Sequence, residues 1–154
     1  MHLYHGSNLR KGRFSETGRI YLLTTVTRER QPLFRDFRAA RSCINVLRFQ
    51  HDRGLVASVA FVVMPDHLHW LVELLAGDLA GLMKSLKCQV TNRVNAISGQ
   101  SGSIWQTGYH DHALRKDEDL QAIARYLVAN PLRAGLVEKL MDYPHWDAVW
   151  LEGK

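Results

Sequence analysis

Apolar and polar positions along the chain fall into runs whose spacing alternates between strand-like and helix-like. Residues 20–27 (IYLLTTVT) are rich in β-branched and aromatic types and predict a strand. Residues 37–53 place Phe37, Ala40, Ile44 and Leu47 at helical spacing and stop before Gly54. A second strand is expected over 55–63, a turn at Met64-Pro65-Asp66, where proline presets the backbone angle, and a third strand over 67–74. Asp78 has the side chain to cap a long helix to about Ile97, with Leu79, Leu82, Met83, Leu86, Val90 and Val94 on its inner face. After a Gly/Ser-rich loop over 98–103, residues 109–115 predict a fourth strand. Asp117-Glu118-Asp119 then opens a last helix to Asn130, with acids where the helix dipole favours them.

The order is strand, helix, strand, strand, helix, strand, helix. It predicts an α+β fold: a ferredoxin-like split βαβ with an antiparallel sheet and an appended C-terminal helix carrying Tyr126. The whole chain, 1–154, reads as one domain with a basic N-terminal arm over 1–18 and a tail over 138–154. The two core helices are expected to cover one sheet face and leave the other available. Trp146 and Trp150 are expected to pack the tail onto the body, with base stacking as the lesser alternative.

His67-Leu68-His69 lies on the third predicted strand. Successive strand side chains point to opposite faces, so the two imidazoles share a face and Leu68 points into the core. Neutral imidazole is a frequent metal ligand, although it also serves as an ordinary polar strand residue. His110 and His112 form a second such pair, read as surface groups or as supports beside a site. In the last helix, Leu120, Ile123, Ala124, Leu127 and Val128 make the apolar stripe, and Tyr126 sits at its border with Asn130 one turn further on. On the residues alone, Tyr126 is either a half-buried packing tyrosine or an exposed nucleophile. Asn130, followed by Pro131, is either a helix cap or a ligand.

Composition narrows the field. Hydrophobic residues make up 46% and charged residues 23%, as in a globular protein, and no apolar run is long enough to span a membrane. Cys43 and Cys88 have no metal-type spacing, so a reducing cytoplasm is the default expectation. The net charge of +5 is uneven. Residues 1–53 hold 11 Lys+Arg against 4 Asp+Glu, whereas residues 54–154 hold 9 against 11. Ten of the eleven N-terminal cations are arginines, whose forked guanidinium suits phosphate oxygens, so a polyanionic partner is favoured.

These motifs together resemble a known family. His67-Leu68-His69 resembles the His-hydrophobic-His motif of HUH endonucleases. Residues 105–115 (WQTGYHDHALR) and 126–137 (YLVANPLRAGLV) resemble the REP-associated tyrosine transposases, as do Gly12-Arg13-Phe14, the strand over 21–27 and Met64-Pro65-Asp66-His67. The resemblance implies a bacterial, metal-dependent nuclease, cytoplasmic and on the nucleoid when bound to DNA. It would cleave and rejoin single-stranded DNA at palindromic hairpins through a 5′-phosphotyrosine on Tyr126. It implies a divalent ion, magnesium or manganese, on His67 and His69. Asn130 stands where related transposases carry a glutamine as third ligand. Arg10, Lys11 and Arg13 of the arm, Lys84 and Lys87 of the long helix, and Arg115 and Arg133 near the motifs are the expected DNA contacts. Relatives include monomers and homodimers. Two rivals remain on sequence alone: a ferredoxin-like nucleic-acid binder without catalysis, and a small zinc hydrolase using all four strand histidines.

Overall fold

The computed structural model describes residues 15–149. Strands β1 (Ile20–Val26), β2 (Val56–Met64), β3 (His67–Leu74), β4 (His110–Ala113) and β5 (Trp146–Ala148) form one sheet in the order β4-β1-β3-β2-β5, with every neighbouring pair antiparallel. Its first four strands have the interleaved order of the split βαβ plan, in which each helical crossover skips one strand. Helices α1 (Phe37–Asp52) and α2 (Leu79–Ser98) make the crossovers, and α3 (Leu120–Val128) with the short α4 (Asn130–Arg133) follows β4. Among the described residues no helix is long and apolar enough to cross a membrane.

Local chemistry accounts for these boundaries. Asp36 caps α1 by accepting from the amides of Arg38 and Ala39, and Asp78 caps α2 by accepting from Gly81. Gly99, at φ 72°, closes α2 in the left-handed conformation that lacks a Cβ clash. The β2–β3 hairpin is closed by Pro65 and Asp66 alone, since Met64 pairs with His67. That two-residue turn fixes the register and so decides which face receives the histidines.

Each sheet face carries its own core. On one, Leu23, Val63, Leu68 and Trp70 pack against the buried stripes of α1 and α2. Trp70 is fully buried, with its indole N–H donating to Ser58. On the other, Ala60, Val62, Met64 and Leu71 pack against Ala124, Leu127 and Val128 of α3 and against Tyr143. This second core corrects the expectation of an open face. The apolar stripe of α3 needs burial and finds it across β2, so only part of that face stays accessible. The tail packs onto the body through Trp146, as expected, and also contributes a strand. It adds β5 beside β2, with Trp146 packed against the second core and its indole N–H donating to the carbonyl of Leu140. Trp150 lies outside the described residues.

The last helix is shorter than the 117–130 expected. Asp119, not Asp117, caps it by accepting from Ala122, while Glu118 turns back to accept from the amide of Arg115. At the other end Pro131 lacks the amide that would continue the ladder, and the chain restarts as α4.

Candidate active site

Alternation along β3 sends Leu68 and Trp70 into the first core and leaves His67 and His69 together on the second face. Their ring centroids are 4.8 Å apart and the rings stand edge to face. One nitrogen of each ring is already engaged. His67 Nδ1 lies 2.7 Å from the carboxylate of Asp66, and His69 Nδ1 lies 2.8 Å from the hydroxyl of Thr24, its cross-strand partner on β1. A proton on each Nδ1, donated to those oxygens, would leave the Nε2 lone pair of both imidazoles for a metal ion. This is the arrangement in which a carboxylate or hydroxyl orients a metal-ligating histidine. Burial, with the nearby His67 and the charge of Arg133, pushes the pKa of His69 down to about 3. His69 is therefore a neutral imidazole throughout the physiological range.

That depression has a measurable consequence for stability. As pH falls below about 6.5 the unfolded chain protonates residue 69, while the folded ring stays neutral down to about 3. The stability present above pH 6.5 is thus progressively lost between 6.5 and 3. His145, whose pKa is also lowered, by burial and then by Arg41, acts in the same direction. In metal-free buffer the urea midpoint should fall between pH 7 and pH 5, with His69 supplying on the order of 2 kcal/mol of that loss. His69→Gln should flatten the dependence, and an equally steep profile in that variant would refute the assignment.

Tyr126 projects from α3 with 68% of its surface exposed. It is not the half-buried packing residue that the edge of an apolar stripe allowed. The guanidinium of Arg133 stacks over its ring, 3.7 Å from the centroid, and the same charge acts on His69. Arg133 thus sits on the tyrosine ring, and its charge also reaches His69. Asn130, at the start of α4, does not cap that helix. Its amide nitrogen donates to the carbonyl of Leu127 at 2.7 Å and closes α3, leaving the amide oxygen as an acceptor.

The other expected residues divide. His110 opposes Thr24 across the strands, as His69 does from the other side, so it shares the histidine face. It stands two strand spacings from His69, roughly 10 Å. His112 is exposed and engages Glu118 at 3.3 Å. The four histidines do not converge, and among the described residues no three His, Cys, Asp or Glu side chains gather to hold a metal ion. The geometry behind a four-histidine zinc site is therefore missing.

Lys84 and Lys87 sit on α2, behind the opposite face of the sheet from the histidine pair. Lys87, one of the expected DNA contacts, is engaged within the protein. Its ammonium donates to the carbonyls of Gln106 and Gly108, both at 2.8 Å, and staples the loop that enters β4. Arg115 is exposed and shared between Asp117 and Glu118. Arg10, Lys11 and Arg13 lie outside the described residues. Sequence reasoning missed the supporting roles of Asp66 and Thr24. Asp66 was signalled by its place immediately before His67, whereas Thr24 is identified only by strand register.

A split βαβ sheet with a paired-imidazole face and a helix-borne tyrosine defines the class. The IS200-like transposase family matches residues 17–130, a span that includes His67, His69 and Tyr126 and ends at Asn130, and the chain belongs to that family. Among individual relatives, it is 31% identical over 99 residues to a provisionally named REP-associated tyrosine transposase of Haemophilus influenzae, covering 57% of this chain and 56% of the relative. It is 28% identical over 101 residues to the REP-associated tyrosine transposase of Escherichia coli K12, covering 64% and 58%. The chain thus spans less than two thirds of the length of these relatives. The solved structure of a REP-associated tyrosine transposase bound to a REP hairpin matches with a TM-score of 0.69 at 25% identity, covering 95% of this chain and 82% of that one. A provisionally assigned transposase of Deinococcus radiodurans shares the fold, with a TM-score of 0.54 at 22% identity over 79% of this chain and 96% of that one.

Proposed function

We propose that this protein is a metal-dependent endonuclease and strand transferase for single-stranded DNA at palindromic hairpins, working through a 5′-phosphotyrosine on Tyr126. The observation that carries the reading is the pair of imidazoles on one sheet face with both Nδ1 atoms engaged, together with an exposed tyrosine under the Arg133 guanidinium. The relative solved with a REP hairpin supports hairpin DNA as the substrate class.

The donor set fits a divalent ion. His67 and His69 would supply two nitrogens and the Asn130 amide oxygen a third donor. The remaining positions would fall to water and phosphate oxygen; imidazole nitrogens accept several first-row ions, and availability favours magnesium or manganese. Once bound, such an ion would polarise the scissile phosphate and offset the charge that develops on it.

The protein's own groups supply the rest. Tyr126 Oη attacks phosphorus, the O–P bond to the tyrosine forms, and the bond from phosphorus to the 3′-oxygen breaks. The phenol proton is released and the departing 3′-oxygen is protonated. Arg133 holds the phenol ring and offers a fixed cation to phosphate oxygens at the same place. Because the energy of the phosphodiester is kept in the phosphotyrosine, a second 3′-hydroxyl can reseal or transfer the strand without a nucleotide cofactor. Arg115, after release from its acidic neighbours, and the N-terminal cations would track the DNA backbone, so binding should weaken steeply with salt.

Incubation with 3′-labelled hairpin oligonucleotides and manganese tests the proposal. A label shift that survives denaturation and disappears with chelator is expected, and a 5′ label should appear in a short free fragment. Tight hairpin binding without any adduct across the panel would instead identify a non-catalytic binder.

A further inference from the structure

We infer that Arg30 is a positioning residue for the histidine pair: it anchors Asp66, and Asp66 in turn fixes the ring of His67. The inference rests on the metal reading above and extends it by one layer. The carboxylate of Asp66 is divided between two partners. Oδ2 accepts from Arg30 Nε at 3.0 Å, and Oδ1 accepts from His67 Nδ1 at 2.7 Å. A carboxylate held at one oxygen only could turn about its bond and let the imidazole swing or change tautomer. Held at both, it keeps the His67 proton on Nδ1 and the lone pair on Nε2.

The backbone beneath Arg30 carries a second, independent sign. Among the described residues only Glu29 and Arg30 combine a side chain with positive φ, at 55° and 51°. Neither is a type that visits the left-handed region readily, because Cβ crowds the following carbonyl. Such conformations persist where the surroundings enforce them, and they cluster at functional sites. Several contacts here tie the loop to the Pro65-Asp66 turn. The amide of Thr27 donates to the carbonyl of Asp66 at 2.9 Å, and the amide of Phe34 donates to that of Pro65 at 2.9 Å. The Thr27 hydroxyl lies 3.0 Å from Asp66 O and 2.8 Å from Gln31 O.

An ordinary surface ion pair explains neither feature. The Arg30 side chain is 60% exposed, and pairs of that kind contribute little to stability. A strained loop bonded to the turn that precedes a ligand candidate, delivering one guanidinium nitrogen to one carboxylate oxygen, serves orientation instead.

The test compares Arg30→Gln, Arg30→Lys and Asp66→Asn with the wild-type protein, with folding followed by the thermal midpoint. In the metal-free, DNA-free protein, nitrogen-correlated NMR of the His67 ring reads the tautomer directly. Wild type should hold a single Nδ1–H form. Arg30→Gln should admit the Nε2–H form and raise the Kd for Mn2+ about tenfold, in the range seen when partners of metal-ligating histidines are removed. Arg30→Lys should recover most of both, and decides the matter if the glutamine variant does not fold. Wild-type tautomer and Mn2+ affinity in Arg30→Gln, alongside altered values in Asp66→Asn, would overturn the role of Arg30. Should Asp66→Asn change the tautomer and leave Mn2+ affinity untouched, the metal reading is what fails, and the tautomer of the Arg30 variants still decides this inference.

Discussion

Tyr126→Phe should leave no covalent protein–DNA adduct at all, while its affinity for hairpin DNA stays within about twofold of wild type. The change removes one oxygen and nothing else. With 68% of its surface exposed, Tyr126 contributes little to the core, so the variant should fold with an unaltered thermal midpoint. The phenyl ring still presents a face to the guanidinium of Arg133, which preserves the local arrangement of α3 and α4. Loss of a covalent nucleophile commonly lowers turnover by roughly 10⁴-fold or more, and here no neighbouring hydroxyl on α3 can substitute for it. The measurement is the denaturation-resistant shift of a 3′-labelled hairpin in the presence of manganese, read beside a binding isotherm in its absence. An undiminished shift in Tyr126→Phe would remove the phosphotyrosine mechanism. A lost shift accompanied by lost binding would mean that residue 126 holds DNA rather than attacking it.

How much of this site was legible in the sequence depends on the range of the interaction that builds each part. The period of two along β3 is local, so placing His67 and His69 on one face needed only the strand assignment, and the Pro65-Asp66 turn fixed where that strand begins. The caps at Asp36 and Asp78 are equally local. The fold order followed, because strand and helix periods differ and the turns between them are marked by Gly, Pro and Asp. Parts that depend on distant pairing were invisible. Thr24 meets His69 only through the β1–β3 register, and Lys87 meets the loop at Gln106 and Gly108 only because α2 passes over it. The position of Arg133 over Tyr126 requires the chain to break after Ala129 and restart as α4, so that residues seven apart return to one another. The covering of the second face by α3 was implied by its apolar stripe, which has to be buried somewhere, but the stripe alone does not say against which strand.

The histidine pair yields the second large effect. His69→Ala should lower the rate of adduct formation by roughly 10²–10³-fold, the scale on which single groups that stabilise a developing oxyanion act. Hairpin affinity should change little, because the imidazole is neutral and makes no phosphate contact of its own in this reading. Part of the lost rate should return as Mn2+ is raised, since the variant keeps His67 and Asp66 and so weakens the site without erasing it. His112→Ala provides the contrast. That ring is exposed and already engaged with Glu118, on the far side of β1 from His69, and its removal should change the rate by less than about threefold. A zinc centre built from all four strand histidines predicts comparable losses for both variants. The ratio of the two rates therefore separates the readings in a single assay. Equal impairment would restore the four-histidine site despite the spacing between β3 and β4. Full activity in His69→Ala would leave the paired imidazoles as strand residues with no part in the chemistry.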